Sequence, residues 1–165
     1  MFKVGEAVVY PMHGAGIIED FEMKNIDGIE RNYCVLQIPL GELKIMLCED
    51  SLPHVNMRRI MSQDDIAETL AEVTRARHGA GSDNWSQRYK DNMDRIKTGL
   101  LRESAAVFYE LYCRERIKGL SGAEKKVMTT AKKIILSEIM IAYNIEKNIA
   151  EEILESYLSK KKVVA

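Results

Sequence analysis

The feature that most constrains this chain is a change of hydrophobic rhythm near residue 60. Before it, short apolar runs alternate with polar residues and are cut by turn formers. Val4 and the run Ala7 to Tyr10 read as a strand that Pro11 ends. Gly14-Ala15-Gly16 is a turn or bulge ahead of Ile17, Ile18 and Phe21, and Asp27-Gly28 is a strong hairpin signal. Tyr33, Val35 and Leu36 continue the alternation to Pro39, Leu43 to Leu47 forms another strand past Gly41, and Val55 to Met57 is expected to close the set. Five short strands in this space predict a small Tudor/SH3-like β-barrel over residues 1–60.

After residue 60 the spacing becomes helical. Ser62 and Asp65 resemble a capping box, followed by Ile66, Leu70 and Val73. The polar segment 78–84 reads as a loop. A second helix is expected from Trp85 to Thr98, stopped by Gly99, and a third from Leu101 to Lys118, stopped by Gly119. Ser121 and Glu124 form a capping box opening a fourth that reaches Tyr143, and Asn144 is expected to cap a fifth ending near the lysines at 160–162. The fold class is therefore α+β, with an all-α helical bundle over residues 61–165.

A net charge of −1 conceals a division. Residues 1–60 are net −3, whereas residues 85–133 carry twelve basic and six acidic side chains. Such asymmetry points to a polyanionic partner for the helical part. Cys34, Cys48 and Cys113 are scattered, odd in number and without a C-x-x-C pair, which fits a reducing compartment rather than a disulfide framework. His13, His54 and His78 have no zinc-ligand spacing. The longest apolar stretch, Ile134 to Tyr143, is interrupted by Ser137 and Glu138 and is short of the roughly 20 residues that span a bilayer. A cytoplasmic protein without cofactor, membrane partner or small-molecule substrate is expected.

Enzymatic chemistry finds little to work with. Gly14-x-Gly16 precedes a strand-like segment, not the helix a phosphate loop requires. No nucleophile elbow or H-E-x-x-H motif is present. Paired acids such as Asp64-Asp65 and Glu151-Glu152 fall on solvated helix faces.

Binding is better supported. A small sheet exposes edges that accept a strand from another protein, and the hairpin around Lys24, Asn25 and Ile26 and the strand carrying Lys44 and Met46 are the candidates. Ile45 and Leu47 equally fit a plain core role. In the helical half, the single tryptophan, Trp85, stands at a helix start with Arg88 and Lys90 in the next turns, as a wedge against bases with phosphate-holding cations would. Yet Trp85, Tyr89, Met93 and Ile96 also form one helical stripe, the pattern of a core face. Lys125, Lys126, Lys132 and Lys133 make a second basic cluster beside a helix N-terminus, again either a phosphate seat or a solvated surface.

Three segments, FKVGEAVVYPMHGAGII at 2–18, NWSQRYKDN at 84–92 and GLSGAEKKV at 119–127, resemble the CarD/CdnL family of bacterial transcription regulators in order and distance. That resemblance implies a Tudor-like domain that binds the RNA polymerase β subunit strand to strand, through positions matching Lys24, Asn25, Ile26 and the Met46 strand. Some relatives carry arginine at the position of Met46. It further implies a helical domain that touches promoter DNA at the upstream edge of the melted bubble. Trp85 would wedge into the minor groove there, with Arg88, Lys90 and Lys125 on the backbone. Two rivals remain beside it: a protein–protein adaptor on polymerase without a DNA role, and a helix-turn-helix reading of LSGAEKKVM, which lacks the short turn and second helix it needs.

Overall fold

The computed structural model describes residues 1–76 and 83–159. Its first part is an antiparallel sheet of β1 (Ala7–Tyr10), β2 (Gly14–Ile26), β3 (Ile29–Ile38), β4 (Leu43–Cys48) and β5 (Arg58–Arg59), in the order β4-β3-β2-β1-β5. The hairpin read from Asp27-Gly28 is present: Ile26 pairs with Ile29, and both loop residues have positive φ, 53° and 77°. That backbone matches the right-handed twist of the flanking strands and suits Asp-Gly. β2 shifts register between Ile18 and Asp20, a bulge that bends the long β2–β3 ribbon.

One expectation is corrected here. The closing strand is Arg58–Arg59, not Val55 to Met57, because Glu49–His54 forms a 3-10 helix and Val55 terminates it. The sheet is open at both ends. β1 pairs with β5 and β3 with β4, but among the described residues β4 and β5 do not pair, so each is a sheet edge.

Five helices follow: α1 (Gln63–Arg75), α2 (Trp85–Lys97), α3 (Leu101–Ile117), α4 (Gly122–Tyr143) and α5 (Lys147–Ser159). The Ser62 hydroxyl accepts from the Asp65 N–H, and Ser121 and Glu124 complete a reciprocal capping box. Asn144 is a further correction. It adopts the left-handed conformation (φ 52°, ψ 57°) that ends α4, the αL role a small polar side chain tolerates, and so does not cap α5. Most of the loop expected at 78–84, with His78, and the lysines at 160–162 lie outside the described residues.

The apolar residues fall into two clusters. Val8, Ile18, Cys34, Leu36, Ile38 and Met57 form the sheet core, while α1, α3 and α4 build a larger one around Phe108, Ile135 and Ile139. Met12, Leu40 and Met61 from the first part pack against the helical core, so the clusters adjoin. Burial, reinforced by Glu49, pushes the Cys34 thiol above its ordinary range, away from thiolate reactivity.

Across that junction runs a polar seam. Arg58 grips Glu138 of α4 with two hydrogen bonds, 2.7 and 2.9 Å, and donates a third to the Gly99 carbonyl at 2.8 Å. Glu138 is 0% exposed and also accepts the Met61 N–H at 2.9 Å. Beside it the Ser137 hydroxyl accepts the Ala15 N–H at 2.8 Å. Gly14 is confined by the same contact: with φ 102° and a Cβ position 2.5 Å from the Ser137 oxygen, it has no room for a side chain. The Gly14-x-Gly16 motif thus serves close packing, Gly14 against α4 and Gly16 against the β3 backbone at Gln37.

Candidate functional site

The helix α2 decides what Trp85 is. Asn84 caps it, its side chain accepting from the Ser86 N–H. The side chains that α2 buries are Arg88, Asn92 and Ile96, spaced by four. The inward stripe therefore runs one position off the one read from apolar residues alone. Trp85 sits on the shoulder, 54% exposed, and Tyr89 is 37% exposed, with only Met93 and Ile96 continuing into the core. The core reading of Trp85 fails, and a large aromatic faces solvent at the start of a helix.

Arg88 corrects a second expectation. Its side chain is 10% exposed and its Nε lies 2.9 Å from Glu124 Oε1. A guanidinium held this way does not lie open to a phosphate. Burial raises the Glu124 carboxyl, but hydrogen bonds from Arg88 and Ser121 outweigh it and leave the group below its usual range. A depressed carboxylate contributes stability that is present at neutral pH and lost as pH falls through its native value. The pair clamps the first turns of α2, which carry Trp85 and Lys90, to the first turn of α4, which carries Lys125 and Lys126.

Lys90, Lys125 and Lys126 are exposed and Lys132 is half-buried. Among the described residues none of the four has a carboxylate within salt-bridge distance, whereas Arg95 is bound to both Glu103 and Glu110 at 2.8 Å and Arg102 to Glu72. Lys90, Lys125 and Lys126 thus place unpaired cations at the two clamped helix starts. Lys132 stands seven residues beyond Lys125, roughly 10 Å along α4.

On the sheet, Ile45 and Leu47 pack toward the core while Lys44 and Met46 face out along the β4 edge. Lys24, Asn25 and Ile26 lie at the exposed hairpin tip. Lys44 is paired with Glu19 at 3.0 Å and Lys24 with Glu22 at 3.7 Å. Met23, Ile26, Ile29, Leu43 and Met46 are exposed apolar side chains of this sheet, distributed over both of its faces. Exposed apolar side chains beside an unpaired strand edge suit a protein partner.

Residues 2–61 match the profile of the CarD-like/TRCF RID domain, and residues 66–155 that of the CarD C-terminal domain. The chain belongs to the CarD family. It is also 34% identical over 160 residues to YdeB, a candidate transcription factor of Bacillus subtilis (strain 168), covering 95% of this chain and 99% of that one. As a CarD-like protein it is a transcription regulator and not an enzyme. The helix-turn-helix alternative ends with α4, which runs unbroken from Gly122 to Tyr143. No described helix is long and apolar enough to cross a membrane.

Sequence reasoning missed the Arg58–Glu138 seam and the Arg88–Glu124 clamp. The first had a signal: Ser137 and Glu138 interrupt an otherwise apolar run, and polar residues in a buried helix face require partners. The second had none, since Arg88 and Glu124 are 36 residues apart and each looks solvated.

Proposed function

We propose that this CarD-like regulator docks on the RNA polymerase β subunit through the hairpin tip and the β4 edge, and holds Trp85 against promoter DNA at the upstream edge of the melted bubble. The observation that carries this reading is the solvent-facing Trp85, clamped beside unpaired lysines. Lys90, Lys125 and Lys126 hold phosphates, with Lys132 at the rim, while Arg88 acts through Glu124 to position the wedge. Phosphate contact and wedging supply little sequence readout, so polymerase supplies the address. A wedge at a fork junction slows reclosing, and the outcome is a longer-lived open complex.

The polymerase half of this reading is tested by Ile26→Glu in the full chain. The side chain is exposed, so folding is expected to survive, with Tm within a few degrees of the parent. Co-purification with polymerase is expected to weaken by at least tenfold, because the docked charge has no partner. Undiminished binding by the folded variant removes the hairpin from the interface.

The DNA half makes a salt prediction. Lys90→Ala and Lys125→Ala are each expected to weaken engagement alike across promoter sequences. Each should also reduce the slope of log affinity against log salt by about 1. Arg88→Ala differs: its main readout is a lower Tm, from breaking the buried pair. A salt slope equal to the parent's for both lysine variants refutes the phosphate assignment.

A further inference from the structure

Between α2 and the N-terminal half of α4 lies a cleft of about 500 Å³, a size that holds a small organic group. Tyr89 and Met93 form one wall, Gly122 and Val127 the other, and Lys126 and Thr130 stand at its polar side. Tyr89 is one helical turn from Trp85 and on the same side of α2. We propose that this cleft receives an unpaired nucleotide of the melted promoter strand; the inference rests on the reading of Trp85 as a wedge at the fork.

Three observations converge on that occupant. A wedge that opens a base step releases a base that must be stacked elsewhere, and the half-exposed Tyr89 ring is the neighbouring aromatic face. The lining combines apolar side chains with one cation, as an apolar base attached to an anionic backbone requires: Lys126 is among the residues that line the cleft, and its side chain is exposed. Gly122 leaves the facing wall open: a Cβ there meets nothing within 4 Å, so a methyl is accommodated and only a large side chain takes up the cleft.

The test uses the full chain bound to polymerase on forked promoter DNA, with 2-aminopurine placed in turn at each unpaired upstream position. The same sequence fully paired serves as reference. The parent is expected to quench the probe at one unpaired position. Gly122→Phe fills the cleft and Tyr89→Leu removes its aromatic face, the second covering any folding defect of the first. Each is expected to abolish that quench and to lower affinity for forked DNA about tenfold, within the range of one base–aromatic stack, with paired DNA unaffected. Gly122→Ala is expected to retain both. Equal losses on forked and paired DNA overturn the proposal, as does retention of the quench in both variants. If Gly122→Phe weakens polymerase binding without DNA, the occupant is a protein segment and the nucleotide assignment falls. Trp85→Ala separates the levels. If it shortens the open complex while the cleft variants change nothing, the wedge stands and the cleft proposal fails. If it has no effect, the wedge reading itself fails.

Discussion

Trp85→Ala is expected to leave the protein folded and to shorten the lifetime of the open promoter complex. With 54% of its surface exposed, the indole contributes little to the core. Its removal should cost about 0.5–1 kcal/mol, a fall of roughly 1–4 °C in Tm. A buried tryptophan cut to alanine costs about 3–5 kcal/mol instead. The promoter effect is larger. Unstacking one base step costs a few kcal/mol, and each 1.4 kcal/mol that the wedge no longer offsets speeds reclosing about tenfold. Competitor-challenged decay of open complexes and thermal unfolding read the two quantities on one variant. Polymerase binding through the sheet should persist, because the hairpin tip and β4 edge are untouched. A Tm loss of ten degrees or more with unaltered decay would mean that Trp85 belongs to the fold rather than to DNA.

Glu138→Ala is expected to have the largest effect on stability. The substitution strands the Arg58 guanidinium and the Met61 N–H, both of which now bond to that carboxylate. Removing one member of a buried pair costs about 3–5 kcal/mol, since the remaining charge keeps its desolvation cost without its partner. Urea unfolding should show that loss as a lower midpoint. The double variant Arg58→Met, Glu138→Leu is expected to recover part of it, because well-packed apolar residues replace such pairs at little or no net cost. A single-variant loss below about 1 kcal/mol would show that the seam is not what joins sheet to helices. The seam also has a functional side. On the proposed docking, it joins the sheet that would meet polymerase to the helices that would meet DNA, so the double variant separates stability from alignment.

Much of the fold could be read from residue order. The Asp27-Gly28 hairpin, the Ser62 and Ser121 caps, and the ends of α2 and α3 at Gly99 and Gly119 are local events, set by φ preferences and by hydrogen bonds spanning a few residues. The errors also have local causes. Val55 to Met57 has strand-forming residues, but the turn after the Glu49–His54 helix delays pairing to Arg58. Asn144 suits an N-cap and an αL C-cap equally; it takes the second role, and Ile145 beyond it packs on the helical core.

Residue types at particular spacings, then, determined by themselves that this chain is a small sheet followed by five helices, with a basic surface and an aromatic at a helix start. Tertiary structure alone decided the meaning of that surface. Periodicity reports which residues can share a face, whereas exposure depends on how far a neighbouring helix extends along it. On α2 the covered line is Arg88, Asn92 and Ile96, which leaves Trp85 and Tyr89 outside. Equally, charge in a sequence does not reveal whether a cation is spent. Glu124, 36 residues away, consumes Arg88, and Glu138, 80 residues away, consumes Arg58, while Lys90 and Lys125 stay available. Pairings at such separations follow from the packing of whole elements, and no local propensity encodes them.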